Sequence, residues 1–287
     1  MSPKSTRLDK VNAWSEVKLE IVRKYAGAYS TILSKQPGFT HFYIDGFAGA
    51  GEHISKTTGD VIPGSPLNAL AIEPPFARYF LIDRNRRRVA NLKALIGERH
   101  DVDFRQGDCN KLLLAEVFPQ VSWSQKRRAL CLLDPYGVHL VWDVIAMAGR
   151  MRTIDLLLNF PIMDMNMNAL LNDPARVKPR EARRMTALWG DESWKSITYR
   201  PSPQGSLFGE RELLKVRNDS IVEAFRRRLL TVAGFCCAPQ PVAMRNSNHA
   251  IVYYLVFASR NQTACDIIRD IFGRYADGRP HGRAATP

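Results

Sequence analysis

No apolar run in the 287-residue chain approaches the roughly 18–20 residues that a membrane-crossing helix requires. The opening stretch, MSPKSTRLDK, lacks the apolar centre of a secretory leader. These absences predict a soluble, cytoplasmic protein with no membrane partner. Cysteine is scarce: Cys109, Cys131, Cys236, Cys237 and Cys265 make up the five, and no two show C-x-x-C spacing. An odd count without a framework predicts reduced, mostly buried thiols, with Cys236-Cys237 inside a strand rather than acting as a redox pair. The six histidines lack metal-ligand spacing, so no metal site is expected. Acid is also short, with 28 Asp and Glu against 41 Lys and Arg, a net charge of +13. That excess favours a polyanionic partner, most simply DNA or RNA. Arg86-Arg87-Arg88 and Arg226-Arg227-Arg228 both fall in helical patterns, where part of each run faces water in any fold.

What is present is an alternation of apolar strands and amphipathic helices. Residues 14–33 carry Val17, Ile21, Tyr25, Ala28 and Ile32 at helical spacing, and Gln36-Pro37-Gly38 ends that helix. Strands are predicted at 41–45, 78–83, 102–108, 129–137 and 153–161, with helices from Ser65-Pro66, over 84–97, near 110–118 and over 140–150. Between the first strand and its helix, Glu52 to Gly64 is a polar, glycine-containing loop too long for an ordinary turn. Strand-then-helix units of this kind make a parallel sheet covered on both faces. Residues 172–218 break the rhythm with several prolines, basic residues, Trp189 and Trp194. After a helix near 211–230, the segments 236–246 and 249–259 predict two antiparallel strands, and a last helix covers 262–275. We therefore expect an N-terminal helical segment (1–40), one α/β domain (41–275) with a basic insertion at 172–218, and a flexible tail (276–287).

Four predicted strands end in an acid: Asp45, Asp83, Asp108 and Asp134. Ligands of open α/β sheets bind outside those carboxyl ends. The turn after the first strand, DGFAGAG (45–51), places its glycines as G-x-x-G-x-G at Gly46, Gly49 and Gly51. It lacks the lysine of a phosphate-binding P-loop. A dinucleotide site wants G-x-G-x-x-G leading directly into a helix, and an acid before the glycines repels a diphosphate. A nicotinamide oxidoreductase is therefore the weakest reading. A cationic, phosphate-free cofactor suits Asp45, and S-adenosyl-L-methionine is one. An acid serves its amino-acid end, a second-strand acid accepts from both ribose hydroxyls, and an acid after the third strand accepts from the adenine amino group.

DGFAGAG, LID (81–83), QGDC (106–109) and LDPYG (133–137) resemble, in order and spacing, the main motifs of class I S-adenosylmethionine-dependent methyltransferases. The resemblance implies cofactor contacts from Asp45, Gly49, Asp83 and Asp108, with Gly46, Phe47, Gly51 and Cys109 beside them in the same motifs. It also implies a Rossmann-like, seven-stranded sheet, mostly parallel, with an antiparallel C-terminal hairpin and helices on both faces. A closer likeness spans most of the chain. FYIDGFAGAG, GSPL (64–67), LLDPYG, LLLNFP (156–161) and YYLVFAS (253–259) resemble the three-Cys-motif partner (TcmP) proteins, which implies a three-cysteine protein as a partner.

The fourth motif addresses the substrate. Methyltransferases of nucleobase amino groups place [DNS]-P-P-[YFW] at this strand end. There the acid accepts from the target amino group and the aromatic stacks on the flipped base. Asp134-Pro135-Tyr136-Gly137 keeps acid, proline and aromatic but lacks the second proline, and is closer to the D-P-F-G of tRNA guanosine N2-dimethyltransferases. Read plainly, it is also a good turn. No cysteine follows a proline here, so carbon-5 cytosine chemistry is set aside. The expected activity is methyl transfer to an exocyclic amino nitrogen of a base in DNA or RNA, with Asp134, Pro135 and Tyr136 as the catalytic motif. Phe160 is either a base-sandwiching or a core aromatic. Lys178, Arg180, Arg183 and Arg184 with Trp189 and Trp194 form either a substrate-recognition element or a structural lid. The alternative to an enzyme is a non-catalytic subunit beside the three-cysteine protein.

Overall fold

Strands rich in Tyr, Phe, Leu and Ile, with no polar face, must be covered on both sides. In the computed structural model, which describes residues 8–201 and 213–275, they are. The main sheet holds β1 (Thr40–Asp45), β2 (Arg78–Asp83), β3 (Val102–Gln106), β4 (Arg127–Leu133), β5 (Ile154–Phe160), β6 (Val242–Arg245) and β7 (Ile251–Ala258). Its order is β3-β2-β1-β4-β5-β7-β6. The first five strands run parallel, and β7 is antiparallel to both β5 and β6. This is the sheet expected from the sequence, with the reversed hairpin at its edge.

Successive residues of each strand feed opposite cores, as the period of two requires. Phe42, Ile44, Phe80, Ile82, Cys131 and Leu133 point into one apolar cluster, and Tyr43, Tyr79, Leu81, Leu130 and Leu132 into the other. The helices, in chain order, are α1 (Ala13–Ser34), α2 (Ser65–Leu70), α3 (Arg86–Ile96), α4 (Cys109–Leu112), α5 (Trp142–Met151), α6 (Ile162–Asn168), α7 (Pro179–Trp189), α8 (Ser193–Thr198), α9 (Asn218–Thr231) and α10 (Gln262–Gly273). Helices α5, α7 and α9 share the first cluster, and α1, α2 and α10 the second. Among the described residues, no helix is long and apolar enough to cross a membrane.

Four expectations need correction. The loop 52–64 is a hairpin, Glu52–Ser55 against Val61–Pro63, and Asp9–Val11 adds a parallel strand to it. The partner comes from a segment expected to be helical, so neither strand had a local signal. The helix expected near 110–118 is split into α4, a π-helical turn (Leu113–Val117) and a 3-10 turn (Phe118–Gln120), with Pro119 at the break. Cys237 and Cys265 form a disulfide, their Cα atoms 6.3 Å apart, while Cys109, Cys131 and Cys236 are free. The bonded pair is 28 residues apart in sequence and meets because residue 237 bridges to Ser259, just ahead of α10.

The fourth correction concerns the basic insertion. Trp189 and Trp194 are core residues, 0% and 2% exposed. Each indole N–H is satisfied internally, donating to Ser193 Oγ and Thr186 Oγ1 at 2.9 Å. Neither offers a stacking face. Phe160 is also core, packed on Phe225 with ring centroids 4.6 Å apart. The 226–228 run is largely structural: Arg226 pairs with Glu223, and Arg228 pairs with Asp191 and covers Trp142 and Trp189. The predicted tail at 276–287 and residues 202–212 of the insertion lie outside the described residues.

Candidate active site

The carboxyl ends of β1, β2, β3, β4 and β5 open onto two clefts. One, of about 370 Å³, is lined by Gly46, Phe47, Asp83, Asp108, Cys109 and Tyr136, among others. The second, of about 290 Å³, takes in Phe47, Gly49, Asp134, Pro135, Tyr136 and Asn159. Phe47 and Tyr136 line both and form the junction.

The glycine turn is stitched to the strand ends around it. Gly46 N–H donates to the Leu132 carbonyl at 3.0 Å and Ala48 N–H to the Ile82 carbonyl at 2.8 Å. Gly49 has φ +67°, the left-handed region that favours glycine, and its N–H donates to Asp83 Oδ2 at 3.0 Å. The other Asp83 oxygen accepts from Asn85 N–H at 2.7 Å. A buried carboxylate with both oxygens so held has a fixed direction and keeps lone pairs for a ligand. Asp108 caps α4 through one oxygen, accepting from Asn110 N–H at 2.9 Å, and is exposed. The Cys109 thiol is pushed up to about 12, chiefly by burial, so it lines the cleft as a small apolar group rather than a nucleophile.

Two residues of the turn sit elsewhere. Asp45 lies beneath the clefts, fully buried, and lines neither. Its Oδ1 accepts from Phe47 N–H at 3.1 Å. Burial raises its carboxyl to about 7, against the opposing hydrogen bonds from Ser65 and Phe47. Asp45 therefore holds the turn from below and does not present an open charge to a ligand. Gly51 lines neither cleft: a Cβ there would meet Leu92 at 2.8 Å, so it allows α3 to pack closely.

The Asp134-Pro135-Tyr136-Gly137 loop is pinned from several sides. Val138 N–H donates to Asp164 Oδ2 of α6 at 3.0 Å, and a Cβ on Gly137 would meet the same oxygen at 2.8 Å. Arg184 of α7 donates to the Val138 carbonyl at 3.0 Å. Tyr136 is 70% exposed, its hydroxyl donating to Asp9 Oδ2 at 3.2 Å. Arg88 lies 5.3 Å from the ring centroid and pairs with the same Asp9 at 2.7 Å.

Asp134 meets partners that its motif did not announce. Asn159 Nδ2 donates to its Oδ1 at 2.8 Å, and the Lys18 ammonium pairs with its Oδ2. Lys18 is 8% exposed and lies 5.7 Å from the Tyr253 ring centroid. Sequence reasoning missed Lys18 and Asp9. For Lys18 a signal existed: it is a cation on the apolar stripe that continues through Ile21 and Tyr25. Cations also gather at the rim. His139 is held below its usual value by burial, then by Arg184, with Arg84 and Arg180 adding to it against Asp164.

No family model and no curated protein matches the chain. Among solved structures, protein LPL1258 from Legionella pneumophila is similar with a TM-score of 0.50 at 11% identity, covering 94% of each chain. An S-adenosylmethionine dependent methyltransferase from Mesorhizobium loti has a TM-score of 0.37 at 13% identity, covering 80% of this chain and 95% of its own. At 11% identity, the Legionella likeness is one of fold.

Proposed function

We propose that the chain is an S-adenosylmethionine-dependent methyltransferase acting on an exocyclic amino nitrogen of a nucleobase in DNA or RNA. The observation that carries this is the adjacency of the two clefts. Asp83 and Asp108 line one, Asp134 the other, and both share Phe47 and Tyr136. The donor set of the larger cleft suits the cofactor. Asp83 would accept from ribose hydroxyls and Asp108 from an adenine amino group, and Phe47 and Cys109 line the same cleft as apolar walls. When bound, the cofactor supplies an electrophilic methyl carbon.

The chain's own part is positioning and electrostatics. Asp134, held by Asn159, accepts a hydrogen bond from the target amino group and orients its lone pair. Tyr136, held by Asp9 and Arg88, provides a flat face at the junction. Arg84 lines the larger cleft, and together with the exposed Lys178, Arg180 and Arg183 of the α7 region it would meet a phosphate backbone. With Trp189 and Trp194 buried, this surface binds by charge and not by stacking.

The test is methyl transfer from labelled cofactor to mixed RNA and DNA. Label in one of them with the wild type, lost in Asp134→Ala, is the expected result. Cofactor binding without transfer to either, with or without a three-cysteine partner protein, would overturn the reading. A second reading, the non-catalytic partner subunit, has one observation in its favour: Lys18 already occupies Asp134.

A further inference from the structure

A lysine ammonium buried against the acid of the fourth motif needs a reason. Stability is a poor one, because a buried ion pair is often matched or bettered by apolar residues of similar size. Its neighbours also leave polar atoms unsatisfied. Asn159 is 7% exposed; its Nδ2 donates to Asp134, and its Oδ1 is buried without a hydrogen-bond partner among the described residues. His53, in the same cleft, likewise has a buried Nδ1 with no partner among the described residues. An unpaired buried acceptor is costly, so a group that donates to Asn159 Oδ1 would be stabilised in this cleft. Turning the Asn159 amide over does not help, since its oxygen would then face the Asp134 carboxylate.

Lys18 is the neighbour best able to yield. Its ammonium sits on a flexible four-carbon stem, while the rest of α1 is anchored by the buried Ile21, Val22 and Tyr25. Resting on the methyltransferase reading above, we propose that the Lys18 ammonium holds the place of the acceptor's amino group. An unpaired base bearing an exocyclic NH₂ enters the smaller cleft and displaces Lys18. One of its N–H bonds goes to Asp134 Oδ2, the other to Asn159 Oδ1. Asn159 thereby becomes a substrate-contacting residue. The cleft selects for two N–H donors on one nitrogen, so a base lacking the amino group gains nothing by displacing Lys18.

The experiment measures binding without turnover, by ligand-observed NMR on the full chain saturated with S-adenosylhomocysteine. The probes are 9-methyladenine, 1-methylcytosine and 9-methylguanine, each against its counterpart lacking the amino group. Removing the competitor in Lys18→Met should raise the preference for at least one amino base about tenfold, on the scale of one or two hydrogen bonds. Lys18→Arg, which grips Asp134 bidentately, should lower it. Asn159→Leu should cancel the gain when added to Lys18→Met. If Lys18→Met does not fold, Lys18→Arg against wild type still decides. An unchanged preference, or no base binding in any folded variant while S-adenosylhomocysteine binds, overturns the proposal. Failure of S-adenosylhomocysteine to bind the wild type, titrated separately, defeats the methyltransferase reading instead.

Discussion

The two clefts that meet at Phe47 and Tyr136 are held together in opposite ways. In the larger, most of the clamps on the acids are backbone N–H groups close by in the chain: Asn85 for Asp83, and Asn110 and Lys111 for Asp108. Among the described residues, only Gly49 reaches across, from 34 residues away. In the smaller, Asp134 is gripped by side chains 25 and 116 residues distant, Asn159 and Lys18, and Tyr136 by Asp9, 127 residues away. Backbone donors in tight turns cannot leave without unfolding the turn, whereas a lysine can exchange. The acids of the larger cleft are therefore held by fixed contacts, and those of the smaller by contacts that can be replaced.

The sharpest way to break that division is Asp134→Ala. Methyl transfer should fall on the order of 1,000-fold, the scale of a lost orienting acceptor, while S-adenosylhomocysteine affinity, by calorimetry, stays within about twofold. Equal loss of both would mean that the clefts are one site.

Asp45, beneath both, separates scaffold from cleft through pH. Its carboxyl is raised from 3.8 to about 7 by burial, so the folded chain keeps a proton that the unfolded chain releases. The resulting stability is complete below 3.8 and is lost as pH rises through about 7, a drop of about 3 kcal/mol between roughly pH 5 and 8. Asp45→Asn should flatten that drop in urea unfolding and leave cofactor affinity at pH 6 unchanged.

On the cofactor side, Asp83→Ala should weaken S-adenosylhomocysteine binding on the order of 100-fold, because it removes a charged acceptor and releases Gly49. An intact affinity would place the ligand elsewhere. The smallest effect belongs to Tyr136→Phe. It keeps the ring beside Arg88 and loses only an exposed hydrogen bond to Asp9, so a rise in acceptor KM of about threefold is expected, with kcat unmoved. A large fall in kcat would give the hydroxyl a part in the chemistry.

How legible each cleft was follows from how it is built. LID ends at Asp83 and QGDC contains Asp108, so acid, turn and cap are adjacent in the text. The alternation of apolar runs with helices was enough to place β2 over 78–83 and to foresee the reversed hairpin of β6 and β7. Asp45 was legible as a strand-end acid but not as a buried one, since depth depends on Phe47 and Ser65 folding over it. Trp189 and Trp194 left both a stacking surface and a structural lid open. Helical geometry turns Met185, Leu188 and Trp189 inward together and leaves Lys178, Arg180 and Arg183 outside.

Strand periodicity, turn glycines and acids at strand ends act over a few residues, so the chain alone specified the doubly wound sheet, its reversed edge and the acids of the larger cleft. Lys18 on Asp134, Asp9 on Tyr136 and the disulfide between Cys237 and Cys265 join segments that meet only once α1 and α10 have packed on the sheet. Such contacts depend on distances through space that spacing along the chain does not encode. The smaller cleft, where the substrate question lies, was for that reason decided by packing.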